Sequence, residues 1–186
     1  MTNLSPGKEC YMNSNSENNK RIASSEFQEN FNILRQIDFF STLPLELNKV
    51  LAYLCTRDTY KKGEYLFREN DDDGQAYYII NGTARLVYNQ AGKERMIRDY
   101  ESGAFFGGLA LLGNIRRIFS MKAVNEMSCL TLTREKFTKA LSQFPDQMPK
   151  IIKTVAESIE GWEKRFLFHG SEKCEACMHN IGVSLV

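Results

Sequence analysis

Apolar and polar residues change their spacing several times along this chain. Residues 1–24 are rich in Asn, Ser, Glu and Lys and carry almost no apolar pattern, which predicts a disordered N-terminal tail. Apolar residues then recur at helical spacing over 27–37 and again over 45–54. Pro44 suits the first turn of the second helix. The ordered part of the chain is therefore expected to begin near Ser25 with two amphipathic helices.

Beyond the second helix the pattern becomes that of β-strands. Short runs rich in β-branched and aromatic residues alternate with turn residues, and Asn81-Gly82 predicts a hairpin over 77–87. Two further strands are predicted at 118–124 and 128–132. Many short strands separated by turns are typical of a sandwich or a barrel.

The last apolar pattern is helical again. Thr133 is expected to cap a helix that ends before Phe144, and a long helix over 144–167 should follow. The spacings of four and three residues in this helix are typical of a coiled-coil seam. Its members are Met148, Ile152, Val155, Ile159, Trp162 and Phe166. The helix is predicted either to cover a site on the β-domain or to form a homodimer through 147–166.

Composition narrows the class of protein. A hydrophobic content of 42% suffices for a packed core, and a net charge of +1 gives no support for a nucleic-acid groove or a polybasic membrane surface. No run approaches the ~20 apolar residues of a membrane span, and the N-terminus lacks the apolar region of a signal peptide. Five cysteines in a chain of this length do not form a disulfide framework. The chain is therefore expected to be cytoplasmic, with reduced cysteines and no membrane partner.

The stretch 105–123 carries the strongest candidate chemistry. The glycine pair 107–108 leads into a short apolar turn, and glycine lets a ligand approach the backbone closely. Free N–H groups at the start of such a turn, at about 109–111, can point at an anion. Arg117 can close over the same anion with two parallel hydrogen bonds, and Arg116 is the alternative in register. The arrangement indicates a phosphate-binding site.

This stretch resembles the phosphate-binding cassette of the cyclic-nucleotide-binding domain, the module of catabolite activator-type regulators, protein kinase A regulatory subunits and cyclic-nucleotide-gated channels. The matching residues are Phe106, Gly107, Leu109, Ala110, Leu111, Leu112, Arg117, Ser120 and Ala123. The turn signals upstream and the helical lead-in agree in order, so the resemblance covers about residues 30–143. It implies that 25–143 form a mainly β fold with flanking helices. The specific form it implies is a double-stranded β-helix (jelly-roll) barrel with N-terminal helices before it and a long C-terminal helix after it.

The resemblance also implies a ligand, a cyclic nucleotide, and its contacts. The expected ligand-binding residues are Gly107, Gly108, Leu109, Ala110, Arg117, Ile118 and Phe119. Where Gly108 stands, the family has a glutamate that accepts a hydrogen bond from the ribose 2′-hydroxyl. Loss of a hydrogen bond to a charged group weakens binding roughly 10- to 150-fold, so a weak site is expected.

The two residues after Arg117 also depart from the family, which has small residues there. A hydroxyl at this point can favour guanine, and Ile118 offers none, so cAMP is expected over cGMP. Strand alternation directs one of Ile118 and Phe119 into the core and the other outward. The sequence leaves open which one, and an inward Phe119 would fill part of the pocket.

A second candidate site lies in the polar tail, 168–186. Cys174 and Cys177 stand between His169 and His179, and two Cys with two His can ligate zinc tetrahedrally. The same cysteine pair could act as a redox thiol pair. The alternative is a polar tail without either chemistry.

No catalytic arrangement of Ser, His, Asp or Cys is visible, so an enzyme is not expected. The chain after Phe166 is too short for a helix-turn-helix domain and has no basic recognition helix, so direct DNA binding is not expected either. Any output would pass through an effector protein or a dimer. Three functions remain open: a stand-alone cyclic-nucleotide sensor, a degenerate module acting as a dimeric scaffold, and a metal- or redox-responsive regulator. None of them requires a cofactor.

Overall fold

The computed structural model describes residues 14–90 and 92–169, with side chains from residue 23 to 160 apart from 91 and 158. The helices are α1 (Ser14–Gln36), α2 (Asp38–Ser41), α3 (Leu45–Leu54), α4 (Arg134–Leu141) and α5 (Met148–His169). The strands are β1 (Thr56–Tyr60), β2 (Tyr65–Phe67), β3 (Gln75–Asn81), β4 (Thr83–Gln90), β5 (Lys93–Glu101), β6 (Phe105–Phe106), β7 (Ser120–Ala123) and β8 (Met127–Thr133).

The strands form two antiparallel sheets of four. The first has the order β1-β8-β3-β6 and the second the order β2-β7-β4-β5. Within the described residues the two sheets are not joined into a closed barrel, so the predicted barrel is corrected to a sandwich with flanking helices, and the jelly-roll description stays a prediction. β6, at the edge of the first sheet, has two residues and pairs with β3 alone.

The Asn81-Gly82 turn does not make the hairpin that its sequence predicts. β3 lies in the first sheet and β4 in the second, so Gly82 is a crossover between the sheets. Its φ is +88°, and a Cβ there would lie 2.4 Å from the Cβ of Met127. Close packing against β8, in addition to turn geometry, therefore requires glycine. The true hairpin joins β4 to β5, with Gln90 opposite Lys93.

Two apolar clusters hold the layers together. One fills the space between the two sheets; it contains Leu66, Phe67, Tyr77, Ile79, Ala84, Leu86, Phe106, Met121, Ala123, Met127 and Cys129. The other joins the helices to the first sheet, with Phe39, Phe40, Leu47, Leu51, Leu111, Leu130, Phe137 and Ile151 among its members. Burial on both sides of the first sheet makes it the central layer of the domain.

The N-terminal helix is longer than expected. It begins at Ser14, inside the segment predicted to be disordered, and Ser25 lies within it. The stretch from Ser14 to Gln36 has no Gly or Pro, so a helix that is packed at its C-terminal end can extend through polar residues. Residues 23–26 are exposed, which is why no apolar pattern marks this part.

The C-terminal helices follow the prediction in part. Thr133 caps α4, because its Oγ1 accepts a hydrogen bond from the Lys136 N–H at 3.3 Å. In α5 the fully buried residue is Ile151, which lies outside the predicted stripe. Stripe member Val155 is partly buried and packs against the same cluster, whereas stripe members Met148, Ile152 and Ile159 are exposed. The described part of the stripe therefore contacts the domain through Val155, and its role as a dimer seam stays a prediction.

Candidate functional site

The backbone around Gly107 makes a tight corner between β6 and a 3-10 turn at 108–111. Gly107 has φ +86°, the left-handed region that favours glycine. The Ala110 N–H donates to the Gly107 carbonyl at 3.1 Å. The N–H groups of Gly108 and Leu109 open the turn and have no partner within it. The sequence predicts the donors at about 109–111; of these, the Leu109 N–H has no partner within the turn, whereas the Ala110 N–H is bonded to Gly107.

Arg117 lies beside this corner and is almost fully buried, with 3% of its surface exposed. Its Nε and Nη2 donate to the two carboxylate oxygens of Asp73 at 3.0 and 3.1 Å, and Nη2 also donates to the Gln75 carbonyl. The guanidinium stacks on the Phe67 ring, 4.2 Å from its centre. A bidentate carboxylate and an aromatic face together hold the guanidinium in one orientation.

One part of the guanidinium is still open. Arg117 Nη1 makes no hydrogen bond to the described residues, and a Cβ on Gly107 would lie 3.0 Å from both Nη1 and Nη2. Both terminal nitrogens of the guanidinium therefore lie against the glycine corner, and Nη1 is the one without a partner among the described residues. An anion held there would meet Nη1 on one side and the 3-10 turn on the other.

Asp73 is the site residue that the sequence did not reveal. It lies 44 residues from Arg117, and the run Asp71-Asp72-Asp73-Gly74 indicates only a turn. The Tyr77 hydroxyl also donates to Asp73, at 2.8 Å. Burial, and then the charge of Asp73, raise the pKa of Tyr77 above its ordinary range, so this hydroxyl stays protonated and keeps donating. No local pattern links these residues, because their contact is made by the fold.

The structure distinguishes the two arginines and the two residues after them. Arg116 is exposed and Arg117 is buried, so the register favours Arg117 as the residue that faces the glycine corner. Phe119 packs against the cluster between the sheets, while Ile118 is 58% exposed. Phe119 is thus the inward member of the pair.

The ribose end of the predicted site has no side-chain acceptor at position 108. Gly108 is buried in the 3-10 turn, and it is not among the glycines with positive φ. Its backbone conformation is therefore open to any L-residue. Glycine at this position leaves out a carboxylate without serving a turn.

The second candidate site falls outside the described side chains. Cys174, Cys177 and His179 lie beyond residue 169, and His169 is the last residue of α5. Among the residues that the structure describes, no group of three His, Cys, Asp or Glu side chains is placed to hold a metal ion. Cys129 is buried, and burial raises the pKa of its thiol to about 12, as expected for a core cysteine. No helix in the described part of the chain is long and apolar enough to cross a membrane.

Comparison with known proteins gives one family. Residues 57–144 match the family model "Cyclic nucleotide-binding domain". Mouse cGMP-dependent protein kinase 2 is 26% identical over 137 residues, which cover 72% of this chain and 18% of the kinase. The cAMP-dependent protein kinase regulatory subunit of Blastocladiella emersonii is 30% identical over 120 residues, which cover 63% of this chain and 29% of the subunit. The chain thus spans less than a third of the length of these relatives.

A solved structure agrees with this assignment. A cyclic nucleotide-binding-like protein from Brucella abortus bv. 1 str. 9-941 superposes with a TM-score of 0.57 at 27% identity, covering 61% of this chain and 98% of that protein. The matched segment runs from β1 to the end of α4 and includes the whole cassette. The match of residues 57–144 and this superposition both point to the cyclic nucleotide-binding domain family.

Proposed function

We propose that this domain is a regulatory module that binds a cyclic nucleotide weakly, with the phosphate held between Arg117 and the 108–111 turn. The observation that carries the proposal is the orientation of Arg117. A nearly buried guanidinium is fixed by Asp73 and Phe67, and its Nη1 lies beside the glycine corner. Both the mouse kinase and the fungal subunit are named for cyclic-nucleotide dependence, which supports a ligand of this class.

Two features support a weak site. Asp73 already neutralises Arg117, so the phosphodiester charge would add to a carboxylate held at the same guanidinium. Gly108 supplies no acceptor for the ribose hydroxyl, a loss of roughly 10- to 150-fold in affinity. The site thus has donors for the phosphate but no acceptor for the ribose hydroxyl. A substitution that supplies this acceptor should therefore strengthen binding.

Isothermal titration with cAMP tests the proposal through two opposite variants. Arg117→Ala should abolish binding, because it removes the only side-chain cation proposed for the phosphate. Gly108→Glu should tighten binding by about tenfold or more, because it restores the acceptor at a position whose φ is not positive. Arg116→Ala is the matched control and should leave affinity unchanged. Wild-type and Gly108→Glu proteins that both release no heat at high nucleotide concentration would instead favour the non-binding scaffold.

The base of the proposed cyclic nucleotide is the second unknown. The sequence predicts adenine, but Arg98 favours guanine as the alternative. Arg98 lies opposite Leu86 across β4 and β5, and Leu86 lies opposite Met121. Since Leu86 and Met121 face the space between the sheets, Arg98 lies on that face too. It is half-buried, stacks 4.8 Å from the centre of the Tyr100 ring, and has no carboxylate within 4 Å among the described residues.

An arginine suits guanine better than adenine. Guanine presents two acceptors, O6 and N7, to a guanidinium, whereas adenine presents a donor beside its N7. Parallel titrations with cAMP and cGMP should therefore show tighter binding of cGMP. Arg98→Leu should remove that preference and leave cAMP affinity within about twofold. A wild-type protein that prefers cAMP would show that Arg98 does not contact the base.

A further inference from the structure

Arg134, the first residue of α4, connects the cassette to the helical layer through three separate groups. Its Nε donates to the Ala110 carbonyl at 2.7 Å, its Nη1 donates to Asn114 Oδ1 at 2.7 Å, and its Nη2 is paired with Asp72. Its backbone N–H donates to the Gly74 carbonyl at 2.6 Å. One residue thus holds the 3-10 turn, the loop after it and the acidic turn before β3.

Each of these contacts satisfies a group that would otherwise lack a rigid partner. Ala110 lies in the last part of the 3-10 turn, where carbonyls have no partner inside the turn. Asn114 is an exposed loop residue, and Arg134 is its side-chain partner. The carbonyl end of the turn is opposite to the N–H end that faces the anion, so fixing one end orients the other.

α4 itself is firmly anchored. Phe137, Ala140 and Leu141 are buried in the cluster that joins the helices to the first sheet. Leu111 is buried in the same cluster and fixes the position of the turn. An apolar contact is not directional, however, whereas the hydrogen bond from Arg134 Nε to the Ala110 carbonyl is, and the bonds to Asn114 and Asp72 hold the same planar guanidinium in place.

We propose that Arg134 is the positioning residue of the cassette: it keeps the N–H groups of the 108–111 turn aimed at the anion and couples their orientation to α4. The part that concerns nucleotide affinity rests on the proposed function. The part that concerns cassette order does not, because the contacts exist without a ligand. In this role the Arg134 side chain holds the backbone of the turn, and the N–H groups of the turn bind the anion.

The experiment is hydrogen exchange on the full ligand-free chain, followed by nucleotide titration. Three cassette amides have hydrogen bonds whose opening can be followed: Ala110 to Gly107, Leu112 to Leu109 and Arg117 to Asp71. Arg134→Gln should speed their exchange by about tenfold, since the turn loses its clamp. Asn114→Ala, which removes a single contact at an exposed residue, should give a smaller increase confined to the loop.

Arg57→Gln is the matched control. Arg57 also bridges a strand to a helix with three hydrogen bonds, to Asn30 and Glu29, and its side chain is 28% exposed against 24% for Arg134. It should leave the three cassette amides unchanged. Arg134→Lys keeps a charge for Asp72 but cannot span three acceptors, so it should restore part of the protection.

The outcomes separate this proposal from the proposed function. Faster cassette exchange in Arg134→Gln but not in Arg57→Gln supports the positioning role even if the wild type binds no nucleotide. In a protein that does bind, nucleotide affinity should fall in the same order as protection, from wild type through Lys to Gln. Unchanged exchange in both Arg134→Gln and Asn114→Ala, or an equal increase in Arg57→Gln, would overturn it.

Discussion

Gly107 combines two requirements that act on the same residue. Its backbone is left-handed, at φ +86°, and a Cβ there would lie 2.5 Å from the Gln75 carbonyl oxygen. The first requirement is conformational and the second is steric, against backbone that cannot move aside. The close approach of the cassette to β3 and to Arg117 depends on both.

Gly107→Ala should therefore destabilise the domain by about 2–4 kcal/mol, the sum of left-handed strain and a backbone clash. Urea denaturation followed by circular dichroism measures the change. Gly103→Ala is the control: its φ is +93°, but nothing lies within 4 Å of a Cβ there, so it should show the strain alone. Equal losses in the two variants would mean that the contact with Gln75 contributes nothing.

At the scale of residues, the sequence predicts well the features that depend on neighbouring residues and poorly the contacts between residues far apart in the chain. The register from Phe106 to Arg117 follows from the spacing of glycine, apolar and basic residues along a single stretch. Asp73 could not be found in this way, because its contact with Arg117 depends on where the fold brings the turn before β3. The inward position of Phe119 could not be predicted for the same reason. Strand alternation requires that one of Ile118 and Phe119 points inward, but packing against the rest of the fold determines which one.

At the scale of elements, the β4–β5 hairpin is the most extended pairing in the domain. It has a register shift between Leu86 and Val87, and an ion pair crosses it from Arg85 to Asp99. The hydrogen bond from Arg85 lowers the pKa of Asp99 below its ordinary value of 3.8. The folded state therefore favours the ionised carboxylate.

The sign of the resulting pH dependence follows from that lowered pKa. The contribution of Asp99 is complete above pH 3.8 and is lost as the pH falls through the lower folded value. The stability difference between wild type and Asp99→Asn should therefore shrink on acidification, measured by urea unfolding from neutral pH to below 3.8. Arg85→Met removes the same hydrogen bond and should converge on the wild type over the same range. A difference that stays constant with pH would contradict the pairing.

Element boundaries show where sequence patterns succeed. The strand before Asn81, the strand after Gly82 and the cap at Thr133 are found because their signals are contained in a few residues. The sequence does not reveal which strand each of them pairs with. Asn81-Gly82 suits a turn equally well in a hairpin within one sheet and in a crossover to the other sheet. The sheet that each strand joins depends on partners far along the chain, β8 for β3 and β7 for β4.

At the scale of the whole molecule, three members of the apolar stripe on α5 are exposed among the described residues. Met148, Ile152 and Ile159 are 42%, 60% and 46% exposed on one helix. Three large apolar residues in a row on a helix favour a further contact. The sequence expectation of a dimer through this helix is consistent with that stripe and stays a prediction.

Ile152→Glu tests it. A charge on the seam should convert a dimer to a monomer, and sedimentation equilibrium should show the mass fall by half. Tyr53→Glu is the control, because Tyr53 is 81% exposed on α3, away from α5, and should leave the mass unchanged. A wild-type chain that already sediments as a monomer would contradict the predicted dimer.

The strand orders β1-β8-β3-β6 and β2-β7-β4-β5 have a consequence for how the protein is made. In each sheet a late strand lies between two early ones: β8 separates β1 from β3, and β7 separates β2 from β4. A ribosome therefore releases β1 to β4 long before the strands that join them exist. Contacts so distant in sequence form slowly, and unpaired edges are exposed in the meantime. The turn at 108–111 and Arg117 lead directly into β7, so this part of the chain is made together with the late segment that closes both sheets.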